Sequence, residues 1–125
     1  QRMGLGDVSE KVIPKAAILA PPRHGGAVTS RYFVPHKTHA AHAVTGAICV
    51  ATCAMMEGSV ADGVALRPPG DDRLVVVEHP SGIFEVALAT RGQGAAIDVV
   101  GGGVIRTARK IMDGQVFVPA KAFTG

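Results

Sequence analysis

Hydrophobic positions along this chain fall into short runs parted by Gly and Pro, with one long exception. The clearest pair is RLVVVEHP (73–80) and GIFEVALAT (82–90), rich in β-branched residues and fixed at their ends by Pro80, Gly82 and Gly92, which predicts two adjacent strands. KAAILAPP (15–22) predicts a strand closed by Pro21-Pro22, and AVTSRYFV (27–34) a second one ended by Pro35. From about Ala40 to Glu57 the residues change to Ala, Val, Ile, Cys and Met, with Gly58 as a stop, which predicts one helix. That helix is apolar nearly all round, so it is expected to be enclosed by strands.

Beyond it, GSVADGVAL (58–66) predicts a further short strand and RPPGDD (67–72) a turn. AAIDVV (95–100) and VIRTARKI (104–111) predict strands split by Gly101-Gly102-Gly103, and DGQVFVP (113–119) a hairpin return after Asp113-Gly114. Many strands around one hydrophobic helix define an α+β fold, expected as a single domain over residues 1–125 with no internal repeat.

Composition narrows this picture. Hydrophobic residues make up 47% of the 125 positions but aromatics only 4%, so the core must be built from Val, Ile, Leu and Ala. Sixteen Gly and eight Pro break the chain too often for a helix bundle. The net charge of +3 is mild and its carriers are scattered. With one Tyr and four Phe to stack on bases, a nucleic-acid surface is disfavoured, and an anionic small molecule suits the charge at least as well. No run approaches the roughly 18 apolar residues of a membrane span. The absence of a secretory pattern and of a cysteine framework makes a reduced, cytoplasmic setting the expectation. Cys49 and Cys53, one helical turn apart, are expected as buried thiols.

The stretch FVPHKTHAAHAVTGAICVATCAMMEG (33–58) places His36, His39 and His42 at intervals of three ahead of the helix. Zinc would need His39 and His42 on one helix face plus ligands from His24, His79, Asp62 or a cysteine, and no spacing converges on such a set. Anion binding has a firmer basis, because the first amides of a helix lack intrahelical acceptors and carry partial positive charge. If the helix opens between His42 and Gly46, the small residues Ala43, Gly46 and Ala47 would let a carboxylate approach, with Lys37 adding a charge and Thr45 a hydroxyl. A plain buried helix whose small residues only admit close strand contact accounts for the same residues. HPSG (79–82) forms a corner with Ser81 at a tight bend, where a simple turn is the alternative and no nucleophile elbow surrounds the serine. In RTARK (106–110) a strand would put Arg106, Ala108 and Lys110 on one face, toward a substrate carboxylate or toward water.

MGLGDVSEKVIPK (3–15), the stretch 25–60, VEHPSGIFEV (77–86) and VIRTARKIMDGQVFVP (104–119) together resemble the PrpF family, which includes aconitate isomerases, methylitaconate isomerases and 4-oxalomesaconate tautomerases. The resemblance implies a diaminopimelate-epimerase-like fold, two similar halves each wrapping a sheet around a central helix. This chain would supply the C-terminal half, and the N-terminal half would be its partner. It implies cofactor-independent proton transfer on a polycarboxylate substrate. Where epimerase relatives read A-C-G-T-G-A at the helix start, this chain reads HAVTGA (42–47), so Ala43 stands at the cysteine position and the acid/base groups are expected in the other half. On this reading Lys37, His39 and the backbone at Ala43, Val44, Thr45 and Gly46 hold a substrate carboxylate. His39 is the one candidate for assisting proton transfer, and Ser81 and Arg106 are further contacts. Neither a metal nor a cofactor is implied, and an exposed cleft face would favour self-association.

Overall fold

The computed structural model describes residues 3–123 and contains β1 (Ala16–Ala20), β2 (Val28–Val34), β3 (Lys37–Thr38), α1 (Val44–Met55), β4 (Asp72–His79), β5 (Gly82–Arg91) and β6 (Asp98–Val104). Short 3-10 turns lie at Gly94–Ala96 and Ala120–Phe123. The fold is α+β, a mixed sheet in the order β1-β2-β4-β5-β6 with β3 added to β2. All pairings are antiparallel except that of β2 with β4. α1 is the crossover between those two parallel strands.

The β4–β5 hairpin is the centre of the sheet. Its register sets Val75 opposite Val86 and Val77 opposite Phe84. All four are buried, together with Leu88 and with Val28 from β2. Strand alternation sends this set to one face. From the helix, Gly46, Ala47, Val50, Ala51, Ala54 and Met55 are buried on that same core. Their spacing, pairs of neighbours every four residues, makes one stripe, and small side chains in it bring the helix close to the valine surface.

The strands expected at 15–22, 27–34, 73–80 and 82–90 are present with slightly different ends. Other expectations are corrected. The helix begins at Val44 rather than near Ala40 and is not enclosed. Val44 is 45% exposed, Met56 37%, and Thr45 and Cys49 are also exposed, because the sheet covers only one side. Cys49 is thus not a buried thiol. Residues 58–66 form hydrogen-bonded turns, Asp62 N–H to Ser59 O and Val64 N–H to Ala61 O, with Ala61 in the core and Val64 and Ala65 packed against it.

The glycine triplet does not break a strand. β6 runs through it, pairing Leu88 with Gly102. A Cβ on Gly102 would stand 3.0 Å from Ile48 Cγ2 and 3.4 Å from Leu88 Cδ2, so the bare backbone is what lets this strand pass beside the helix. Finally, β6 ends at Val104, and the strand over 104–111 and the return over 113–119 do not form. Residues 105–119 are exposed and without regular structure, and Asp113 makes a salt bridge with Lys110 instead of opening a hairpin. The alternation of valines and isoleucines there marks strand propensity, but a strand also needs a partner.

Candidate functional site

α1 starts without a capping side chain. Ala43 at its N-cap is extended, and the first intrahelical bond runs from Ala47 N–H to Ala43 O at 2.8 Å. The amides of Val44, Thr45 and Gly46 have no acceptor among the described residues, and no acidic side chain lies in the first turn. This leaves partial positive charge at an accessible end, where Val44 and Thr45 are exposed.

Histidines surround that end. His42 is buried, with Nε2 3.1 Å from Ser30 Oγ and Nδ1 3.2 Å from Ala43 O. A carbonyl only accepts, so Nδ1 carries the proton and Nε2 takes the serine hydroxyl's. The imidazole lies 4.5 Å from the Tyr32 ring and 6.3 Å from that of Phe84. Burial lowers its pKa, the Ala43 bond opposes this, and the nearby charges of His79 and His39 lower it further, so His42 is neutral. His39 is half-buried. Its backbone N–H donates to Tyr32 O, and its Nδ1 accepts the Ala41 amide at 3.1 Å.

The HPSG corner closes on the same place. Ser81 Oγ donates to Ala40 O at 2.5 Å and lies 3.3 Å from His79 Nδ1. Gly82 next to it takes a φ of 143°, which an L side chain rarely adopts. Arg106 reaches the periphery, its guanidinium 4.3 Å above the Phe84 ring, which also touches His42.

The structure therefore gathers His39, Ala43, Val44, Thr45, Gly46 and Ser81 at one end of the helix and brings Arg106 within one ring of them. Lys37 is exposed on β3, two residues before His39, and its ammonium has no partner among the described residues. Two expectations change. Gly46 does not leave its space to a ligand, because a Cβ there would meet Tyr32 Cε2 and Cζ at 2.6 Å, so the tyrosine occupies it. Arg106 is not on a strand, and the two-faced arrangement of RTARK does not arise. Among the described residues no group of three His, Cys, Asp or Glu is arranged to hold a metal.

The residue that sequence reasoning missed is Glu78. Its carboxylate is buried and accepts four hydrogen bonds: from the amides of Arg23 (2.7 Å), His24 (2.7 Å) and Gly26 (2.9 Å) and from Thr29 Oγ1 (2.8 Å). The Arg23 amide first, then those of Gly26 and His24 and the Thr29 hydroxyl, hold its pKa down at about 2 against the opposing effect of burial. The clue available in the sequence is an acid interrupting the buried run VVVEH with a Gly-Gly turn elsewhere to surround it.

The chain is thus an α+β module in which a helix crosses one face of a mixed sheet and starts, without a capping side chain, close to imidazoles and a serine hydroxyl. The PrpF family profile, described as PrpF protein, matches residues 1–119, and the chain belongs to the PrpF family. It is 47% identical over 116 residues to a (4E)-oxalomesaconate Delta-isomerase of Novosphingobium sp. strain KA1, covering 93% of this chain and 32% of the relative. It is 44% identical over 124 residues to the 4-oxalomesaconate tautomerase of Pseudomonas putida strain KT2440, covering 99% of this chain and 33% of the relative. A 3-methylitaconate isomerase of Eubacterium barkeri is 32% identical over 91 residues, covering 73% of this chain and 23% of the relative. The chain spans about a third of the length of the two relatives matched at 44–47% identity. Among the described residues no helix is long and apolar enough to cross a membrane.

Proposed function

We propose that this chain is the C-terminal part of a cofactor-independent isomerase or tautomerase of diaminopimelate-epimerase-like fold. The enzyme moves a proton and a double bond within an unsaturated di- or tricarboxylic acid of the aconitate, methylaconitate, methylitaconate or oxalomesaconate class. The observation that carries the reading is the start of α1, exposed at Val44 and Thr45, where three amides have no acceptor among the described residues and His39, His42, His79 and Ser81 lie nearby. The reading is supported by relatives named for the isomerisation of oxalomesaconate and of methylitaconate, molecules that carry carboxylates.

The chemistry follows from charge. Removing a proton beside a conjugated carboxylate spreads negative charge over the allylic system and into the carboxylate oxygens. The amides of Val44, Thr45 and Gly46 meet that charge already aligned, so no reorganisation is needed when it develops. Neutral His42 holds the N-cap carbonyl in place through Nδ1 without placing a full charge beside the substrate. Lys37 supplies the long-range attraction and a charge-assisted contact. His39 Nε2 is a proton relay at the rim, since its Nδ1 is already an acceptor. Ser81 shapes the rim through Ala40, and Arg106 screens its edge. The proton-transferring groups that act on carbon lie in the N-terminal half, the principal partner of this one. The enzyme works in the cytoplasm and associates with a second copy through exposed apolar surface.

The deciding assay uses the complete enzyme with a panel of these acids, following absorbance of the conjugated product. Turnover of at least one, with deuterium entering from solvent at the allylic carbon, is the expected result. Absence of both turnover and saturable binding for every acid would overturn the proposal.

A further inference from the structure

β2 and β4 pair through two positions only, Val28 with Val77 and Thr29 with Glu78, and no later pair joins them. Beside that junction a cleft of about 250 Å³ opens, lined by Arg23, His24, Thr29, Arg31, Glu78 and His79 among others. Arg31 alternates with Ser30 and Tyr32, the residues of β2 that contact His42 and α1, so it leaves from the opposite face of the sheet. Thr29 and Arg31 thus give the cleft its own face, while Ser30, bonded to His42, and His79, its Nδ1 turned to Ser81, form the wall it shares with the helix mouth.

The charge of this cleft is unbalanced. Neither the Arg23 nor the Arg31 guanidinium has a hydrogen-bond or ion-pair partner among the described residues, where salt bridges occur only at Arg67–Asp62 and Lys110–Asp113. The carboxylate within reach, that of Glu78, is committed to its four donors. Against the single negative charge of Glu78, whose donors are neutral amides and a hydroxyl, the two guanidinium groups leave the cleft with net positive charge, to which an anion is drawn. Glu78 also fixes the backbone of Arg23 and His24 by bonding both amides, so those two side chains start from held positions.

We propose that this cleft is a second oxyanion site, taking a small dianion that bears phosphate or carboxylate oxygens. Arg23 and Arg31 hold it through forked N–H pairs, and the His24 and His79 rings donate at its flanks. The inference does not require the helix mouth to bind substrate. A free phosphate-type effector and a second carboxylate of the substrate share this chemistry, and the test separates them.

The 125-residue chain is titrated with inorganic phosphate and, separately, with tricarballylate, while NMR follows the His24 and His79 rings and the Val44 and Thr45 amides. Saturable shifts of both rings are expected with one or both probes. Binding should weaken about tenfold or more in R23Q/R31Q and stay unchanged in the K110Q control, which removes a distant charge. Response to phosphate alone assigns an effector, and response to tricarballylate assigns a substrate carboxylate. Both arginines are exposed, so equal thermal melts verify folding of the variants. No saturable ring shift with either probe, equal weakening in R23Q/R31Q and K110Q, or one event in which rings and helix amides move and are lost together would each overturn the second site. Loss of the amide response alone would count against the helix mouth and leave this site standing.

Discussion

The helix-facing side of the sheet and the segment after β6 are made of the same kinds of residue and meet opposite fates. Val28, Val75, Val77 and Val86 are fully enclosed and Leu88 is 1% exposed, whereas Ile111 and Phe117 are each 91% exposed. The first group finds α1 within this chain, and the second finds nothing within it. Apolar, β-branched sequence states that a segment will be covered, and says nothing of what covers it. The same division runs through the polar groups. Glu78 and His42 are bonded by their own chain, while Lys37 and the first amides of α1 have no partner among the described residues.

Substitutions on either side of this division should behave differently. Leu88→Ala removes a side chain enclosed between β5, β6 and the helix and should cost about 2–5 kcal/mol in urea unfolding. A cost below 1 kcal/mol would mean the sheet side is not a packed core. Lys37→Ala should leave unfolding unchanged but weaken polycarboxylate binding or turnover in the complete enzyme by about 1.5–3 kcal/mol, and unchanged kinetics would remove Lys37 from the site. Gly46→Val drives a side chain into the Tyr32 ring and should cost roughly 1–3 kcal/mol of stability. A variant of unchanged stability would show that Tyr32 does not need that space.

Acid sharpens the contrast among the polar groups. Glu78 titrates at about 2 in the fold, against an ordinary value of 4.5, so its contribution is complete above 4.5 and disappears as pH falls from there toward 2. His42 is lowered from 6.5, so below that pH the unfolded chain binds a proton the folded one refuses, and stability falls as pH drops. Unfolding free energy should therefore decline in two stages on acidification, and Glu78→Gln should shrink the lower one, leaving the smaller contributions of Asp7 and Asp62. A lower limb with the same slope in that variant would count against the clamp. The smallest effect is expected from Phe117→Ala, within about 0.5 kcal/mol for this chain, because its ring is exposed. A loss comparable to that of Leu88→Ala would erase the comparison.

What could be read in advance was local. The strands around Val75 and Val86 and the helix over 44–55 announce themselves through runs, turn residues and a stop signal. The Glu78 clamp could not, since its donors lie 49 to 55 residues away in sequence. Nor could the meeting of Tyr32 with Gly46, which a helix seen alone presents as an opening. The residue pattern alone offers His39, Ser81 and the helix start as separate candidates, the family resemblance joins them as contacts of one substrate, and the fold brings them to one end of the helix. The segment 105–119 was misread because propensity was taken for pairing, and the open side of α1 because an all-round apolar helix does not state how much of its cover this chain supplies.

The parallel pairing of β2 with β4 has one further consequence. The two strands overlap only where Val28 meets Val77 and Thr29 meets Glu78, so the end of β4 lies beside the start of β2, and the chain's return through β3 brings His42 and the helix start back to that junction. His39, His79 and Ser81 around that junction can therefore change with little effect on the buried valines, and the turns at 58–71, which lead into the other end of β4, can lengthen or shorten away from them.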